Sequence, residues 1–215
     1  MGSVGTTIES VTDSNGVYVS LQQTTGIFGF DSPTLHNAPV YGVVNVTDGT
    51  SNTIAFSEHL IGGGTTSFTD PRRVSFTGVS ALAGVESTLD ARTISSKVAT
   101  ALSSCASAAT TAMRTQTGGN TDAGVTWLTG FLGATLFNTI APANNPQYAW
   151  SSCEADTPGN FSQGGFINAT SNHPGGANYA LCDGSVRFLK STISLQTYWG
   201  LGTRGSGEVI SADSY

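Results

Sequence analysis

His173 and Asp183, separated by nine residues, are the pair whose types could do chemistry together, since an imidazole and a carboxylate can bind a metal or share a proton. Glu58, followed by His59, adds a second acid beside an imidazole. If the chain hydrolyses an extracellular polymer, His173, Asp183 and Glu58 are its candidate catalytic residues. Each also has a plainer reading. Asp183-Gly184 fits the centre of a tight hairpin turn, and His173 can pin the Gly175-Gly176 loop by donating to a backbone carbonyl. Nucleophilic catalysis needs a Ser or Cys beside a base that a third group orients. Serines abound, but no Gly-x-Ser-x-Gly elbow occurs, and His36, His59 and His173 lie in unrelated contexts. Glu58 and His59, adjacent on a strand, would point to opposite faces.

Hard oxygen ligands for calcium are available at Asp183, Asp156, Glu154, Asp48 and Asp70, but none belongs to a spaced acidic loop, and solvated loop acids are the simpler account. Trp127, Trp150, Trp199 or Tyr148 could stack on a sugar, although such aromatics more often fill a core. Two coplanar exposed aromatics would favour glycan binding; burial of every Trp would favour a plain structural role. The cysteines, Cys105, Cys153 and Cys182, form no Cys-x-x-Cys pair and have no neighbouring His, which argues against zinc. One disulfide and one spare thiol is the alternative. In an oxidising compartment Cys105 with Cys153 is the preferred bridge, because Cys182 sits inside a strand pattern, though sequence does not settle connectivity.

The elements that must position these groups follow from periodicity. Short β segments are expected at Gly16–Leu21 and Gly26–Phe30, separated by turn residues at Asp13-Ser14-Asn15-Gly16. The apolar run Val40–Val44 leads to the turn Asp48-Gly49 and then to a strand over Thr53–Glu58. From about Leu89 the period lengthens. Ile94, Val98, Ala101, Leu102, Cys105, Ala108, Ala109 and Ala112 share one helical face, predicting a principal helix over about 89–114, capped by Asp90 or Thr88 and ended at Gly118-Gly119-Asn120. Trp127–Trp150 reads as a loop wrapping the sheet, and Glu154–Asn172 as a surface loop able to carry ligand contacts. A two-residue Asp183-Gly184 turn would set Leu181 opposite Val186, Ala180 opposite Arg187 and Tyr179 opposite Phe188. That register puts Tyr179, Leu181, Val186 and Phe188 on the core face and Cys182 with Arg187 on the other. Helical or irregular structure from Leu195 to Leu201 should bury Tyr198 and Trp199.

The 215 residues suit a single domain, 1–215, of α+β class: an antiparallel sheet packed against one principal helix. Charged residues are only 10 % of the chain and the net charge is −6, so the basic footprint of nucleic-acid binding is missing. No apolar run approaches the roughly 20 residues that span a bilayer. Met1-Gly2-Ser3 is either native or marks a place from which an anchoring segment has been removed.

Ser171-Asn172-His173-Pro174-Gly175-Gly176-Ala177-Asn178, running into Cys182-Asp183-Gly184-Ser185-Val186-Arg187-Phe188, resembles the C-terminal signature of a planctomycete family of pilin-like proteins of unknown function. Asp48-Gly49-Thr50-Ser51-Asn52-Thr53-Ile54 and Leu201-Gly202-Thr203-Arg204-Gly205-Ser206-Gly207-Glu208-Val209-Ile210 resemble it too. The resemblance implies a pilin-like globular head with long loops, secreted or at the cell surface. In the full-length parent an N-terminal helix, absent here, would anchor it to the membrane. His173, Gly175, Gly176, Asp183, Gly184, Asp48 and Gly49 would be structural motif residues. The implied partners are other pilin-like subunits or secretion-system components, with an extracellular polysaccharide as the alternative; no cofactor is implied, calcium being the one candidate. The expected function is a non-catalytic structural or assembly role at the cell envelope, against a carbohydrate-binding protein or polymer hydrolase.

Overall fold

A computed structural model describes residues 1–8, 23–29, 39–64, 67–76, 82, 85, 88–125, 127–128, 130, 132–154, 165–208 and 210. The expected strand at Gly16–Leu21, the turn before it, His36 and Asp156 lie outside these residues. The strands are β1 Gly2–Ser3, β2 Ile54–Ser57, β3 Ser75–Phe76, β4 Gly119–Asn120, β5 Leu136–Phe137, β6 Ser152–Glu154, β7 Gly165–Ile167, β8 Gly176–Leu181 and β9 Val186–Lys190. They form two sheets, ordered β5-β1-β2-β8-β9 and β4-β3-β6-β7. Pairing is antiparallel except β1 with β5 and β3 with β6, so both sheets are mixed.

The fold is α+β, as the periodicity implies, with its helix on one sheet and its terminal hairpin on the other. A 3-10 turn at Ala91–Ile94 leads into α1, Ser95–Thr115. Asp90 caps this entry, its Oδ1 accepting from Arg92 N–H at 3.0 Å. Val98, Ala101, Leu102, Cys105, Ala109 and Ala112 are buried, the face expected from the sequence, while Ile94 and Ala108 are only partly covered. The helix stops at Gln116, whose φ of 57° places it in the left-handed region, rather than at Gly118-Gly119. Cys105 on α1 and Cys153 on β6 form a disulfide that fixes the helix to the second sheet.

Elsewhere the elements are short because amide side chains replace strand pairing. Asn138, fully buried, donates to Thr7 O and Gly165 O and accepts from Ile167 N–H. Asn168 donates to Tyr148 O and Trp150 O. The segment 165–171, read as surface loop, is instead interior: Phe166, Ile167, Ala169, Thr170 and Ser171 are all buried. Residues 23–29 hold no strand. Val40, Val43 and Val44 are exposed around a 3-10 turn at Val43–Asn45. Helix α2, Leu195–Gly202, is capped by Ser194 and buries Tyr198 and Trp199.

The hairpin departs from the expected register by one residue. Leu181 N–H donates to Ser185 O (2.8 Å) and Gly184 N–H to Leu181 O (3.0 Å), so the loop is Cys182-Asp183-Gly184, with Gly184 at φ 84°. This is a three-residue loop with a bulge at glycine. Asp183 is not at positive φ; its carboxylate accepts Ser185 N–H and Oγ–H instead. The tip is also tied down, Cys182 N–H donating to Thr53 O and Asp183 N–H to Thr50 O. Tyr179 therefore lies opposite Arg187 and Ala180 opposite Val186. Because side chains alternate, one step of slip reverses β9: Leu189 is buried, whereas Val186 and Phe188 are exposed. Val186 and Phe188 are not core residues.

Candidate functional site

β2 ends at Ser57, so Glu58 projects beside the start of β8, where Asn178 and the 171–176 loop come to meet it. Glu58 Oε2 accepts from Asn178 N–H at 3.1 Å and Oε1 from Asn178 Nδ2 at 3.0 Å. His173 Nε2 stands 3.3 Å from Oε1. Burial pushes the Glu58 carboxyl up, but hydrogen bonds from Ser171 and Asn178 and the nearby His173 outweigh it and hold the group below its ordinary range. Phe188 meets the His173 ring edge-on with centroids 6.2 Å apart. The ring pairs with a carboxylate rather than with a backbone carbonyl.

The loop carrying His173 is held by a residue that sequence reasoning passed over. Asn144 Nδ2 donates to Ser171 O, His173 O and Gly176 O, and its Oδ1 accepts from Ser171 N–H. Asn144 adopts φ 55°, a conformation that Asn tolerates better than most residues. Arg72, oriented by Asp70, donates to Ser171 O at 2.8 Å. Asn144 stands in a Pro-Ala-Asn-Asn-Pro stretch that signals a turn, and nothing in that pattern shows which carbonyls the amide will reach.

Of the proposed catalytic residues, Glu58 and His173 come together and Asp183 does not. Asp183 sits on the hairpin tip at the far end of β8, six residues at about 3.3 Å each from the His173 end. Its carboxylate finds its partners, Ser185 N–H and Oγ–H, within the turn. The calcium candidates are similarly engaged: Asp48 accepts from Ser206 N–H (2.7 Å) and Gly207 N–H (2.8 Å), Asp70 from Arg72, and Glu154 from Ser152 Oγ at 2.7 Å. Among the described residues no group of three or more His, Cys, Asp or Glu could hold a metal ion.

A second pair was not foreseen. His59 Nε2 lies 3.1 Å from Ser151 Oγ, a nucleophile–base pair by type. Ser151 is fully buried and, among the described residues, His59 Nδ1 has no partner and no orienting third group. Burial, with a contribution from the chain-terminal ammonium, holds the imidazole down at about 4 and keeps it neutral near pH 7. Trp150 and Trp199 are buried while Trp127 is 78 % exposed, so the aromatics form no coplanar exposed pair among these three, nor are they all interior.

The hairpin tip and the other two stretches that carried the resemblance converge at one end of the first sheet. Asp48 clasps the 206–207 backbone, Thr47 and Asp48 N–H groups donate to Arg204 O, and Thr53 Oγ1 donates to Thr203 O. The hairpin tip rests on Thr50 and Thr53. Arg204 donates to Gly26 O at 2.7 Å and to Thr24 O, with its guanidinium 3.5 Å over the Tyr41 ring.

This architecture defines an α+β protein in which Asp48, Thr53 and Arg204 tie down the chain's own backbone at one end of the first sheet. Residues 3–196 match the family described as "Protein of unknown function (DUF1559)", and the chain belongs to it. No curated protein and no solved structure matches the chain.

Proposed function

We propose that this protein is a non-catalytic structural or assembly subunit of the bacterial cell envelope, a pilin-like head of the kind its C-terminal motif resembles. The supporting observation is where the motif residues direct their polar atoms. Asp48, Asp183 and Arg204 all direct theirs at the chain's own backbone or at residues within their own turn. A catalytic motif would leave such atoms aimed at an open cleft. The disulfide supports an oxidising compartment outside the cytoplasm.

Polymer hydrolysis is favoured by one observation, the half-exposed Glu58–His173 pair. Its carboxylate is already filled by the Asn178 donors and lowered, which suits an anchor better than a general acid. The test has two arms. Fractionation of the source cells with an antibody to this chain should place it in the envelope; recovery solely from the cytoplasm sinks the proposal. Purified protein should show no turnover on a panel of ester and glycoside substrates. Turnover that His173→Ala or Glu58→Gln abolishes would move the assignment to a hydrolase.

A further inference from the structure

Strand β9 closes the first sheet, and among the described residues nothing pairs with its outer edge. The direction of its backbone groups follows from the hairpin. In an antiparallel ladder hydrogen-bonded and non-hydrogen-bonded pairs alternate. Leu181 N–H to Ser185 O and Ser191 N–H to Gly175 O mark two of the bonded pairs. By alternation Arg187 with Tyr179 and Leu189 with Ala177 are bonded pairs too. The N–H and C=O groups of Val186, Phe188 and Lys190 must then point away from β8, to the open edge.

We propose that β9 pairs antiparallel with β9 of a second copy, about a two-fold axis through Phe188, joining two first sheets into one. A two-fold normal to the sheet preserves faces, so only registers that oppose residues of equal parity are allowed. Centring on Arg187 would set that guanidinium against its own copy, a repulsive pair. Centring on Leu189 leaves Val186 beyond the partner strand. Centring on Phe188 pairs the whole strand: Val186 faces Lys190 of the other copy, Arg187 faces Leu189, and Phe188 faces itself. No like charges meet, and every outward backbone group of β9 finds a partner. On the solvent face Phe188 and Val186, which are 44 % and 65 % exposed, lie on the edge strand itself, and the pairing would bring the two Phe188 rings side by side.

One strand pair covers less than the ~1,200 Å² typical of the smallest stable complexes, so the contact is weak and concentration-dependent. It rests on the assembly reading, naming the surface by which subunits meet.

Sedimentation velocity on the purified chain tests it. A monomer–dimer equilibrium should appear as concentration rises. Val186→Lys places ammonium groups opposite each other at both ends of the pair and should weaken dimerisation at least tenfold. Lys190→Glu alone should be tolerated, and the double variant V186K/K190E should restore the dimer. In a Cys182→Ser background, Phe188→Cys should oxidise to a cross-linked dimer. Val186 and Lys190 are exposed, so circular dichroism should show native folds throughout. A wild-type chain that stays monomeric at the highest soluble concentration overturns the contact, as does a V186K dimer of undiminished strength or a double variant that fails to recover. Those results leave the envelope assignment to its own fractionation test.

Discussion

Asn144 shows how much one amide can organise. It answers the carbonyls of Ser171 and His173 in the loop and of Gly176 at the start of β8, and it does so from a left-handed backbone. Asn144→Gly keeps the conformation and loses the hydrogen bonds, whereas Asn144→Ala loses both. The Gly variant should cost about 1–3 kcal/mol in urea unfolding and the Ala variant more, with the His173 ring losing its fixed position beside Glu58. Glu154 carries the opposite kind of burden. Burial pushes its carboxyl up to about 7 despite the Ser152 hydroxyl, while the unfolded chain titrates near 4.3. The folded state therefore keeps a proton that the unfolded state releases, and stability falls as pH rises from about 4 to about 7. Glu154→Gln should flatten that slope and be more stable than wild type at pH 8, by ~1–3 kcal/mol in urea titrations repeated across pH. At this scale sequence reading named Glu58, His173 and Asp183 together, and the fold brings only the first two into contact. The nine-residue spacing is a strand's length, and a strand carries its two ends apart.

Elements were legible in proportion to their length. The apolar face of α1 could be read because 21 residues give several turns of periodicity. Strands of two or three residues give none, so β1, β3, β4 and β5 were invisible, and 165–171 passed for a polar loop because its buried backbone is satisfied by Asn side chains. The Asp-Gly signal located the hairpin correctly and misjudged its loop by one residue. That choice was made by Thr50 and Thr53, distant carbonyls that capture the tip's N–H groups. The disulfide belongs to this scale because it joins an element to an element. It closes a separation of 48 residues, for which loop entropy gives a contribution of about 4 kcal/mol. Cys105→Ala with Cys153→Ala should lower the urea midpoint accordingly, and hydrogen exchange should rise first in α1; unchanged exchange there would mean that packing alone holds the helix.

Among the described residues most buried apolar side chains form one cluster shared by both sheets and α1. The α+β class was legible from a helical period flanked by β-prone runs. The division into two sheets was not, because it depends on which short strands pair across long separations, such as β1 with β5 and β3 with β6. Family membership adds a name without an activity, so the functional argument rests on how polar atoms are used.

The clasp between Asp48 and the Ser206–Gly207 backbone sets an order of events during synthesis. Its halves are more than 150 positions apart, so a nascent chain cannot close that end of the sheet until residues 206 and 207 have left the ribosome. At ~5–20 residues per second, several seconds pass with the hairpin's docking surface made and its lock unmade. Through that interval this end of the sheet lacks the two Asp48 hydrogen bonds that latch it, and amide exchange there should stay fast until the 206–207 segment arrives.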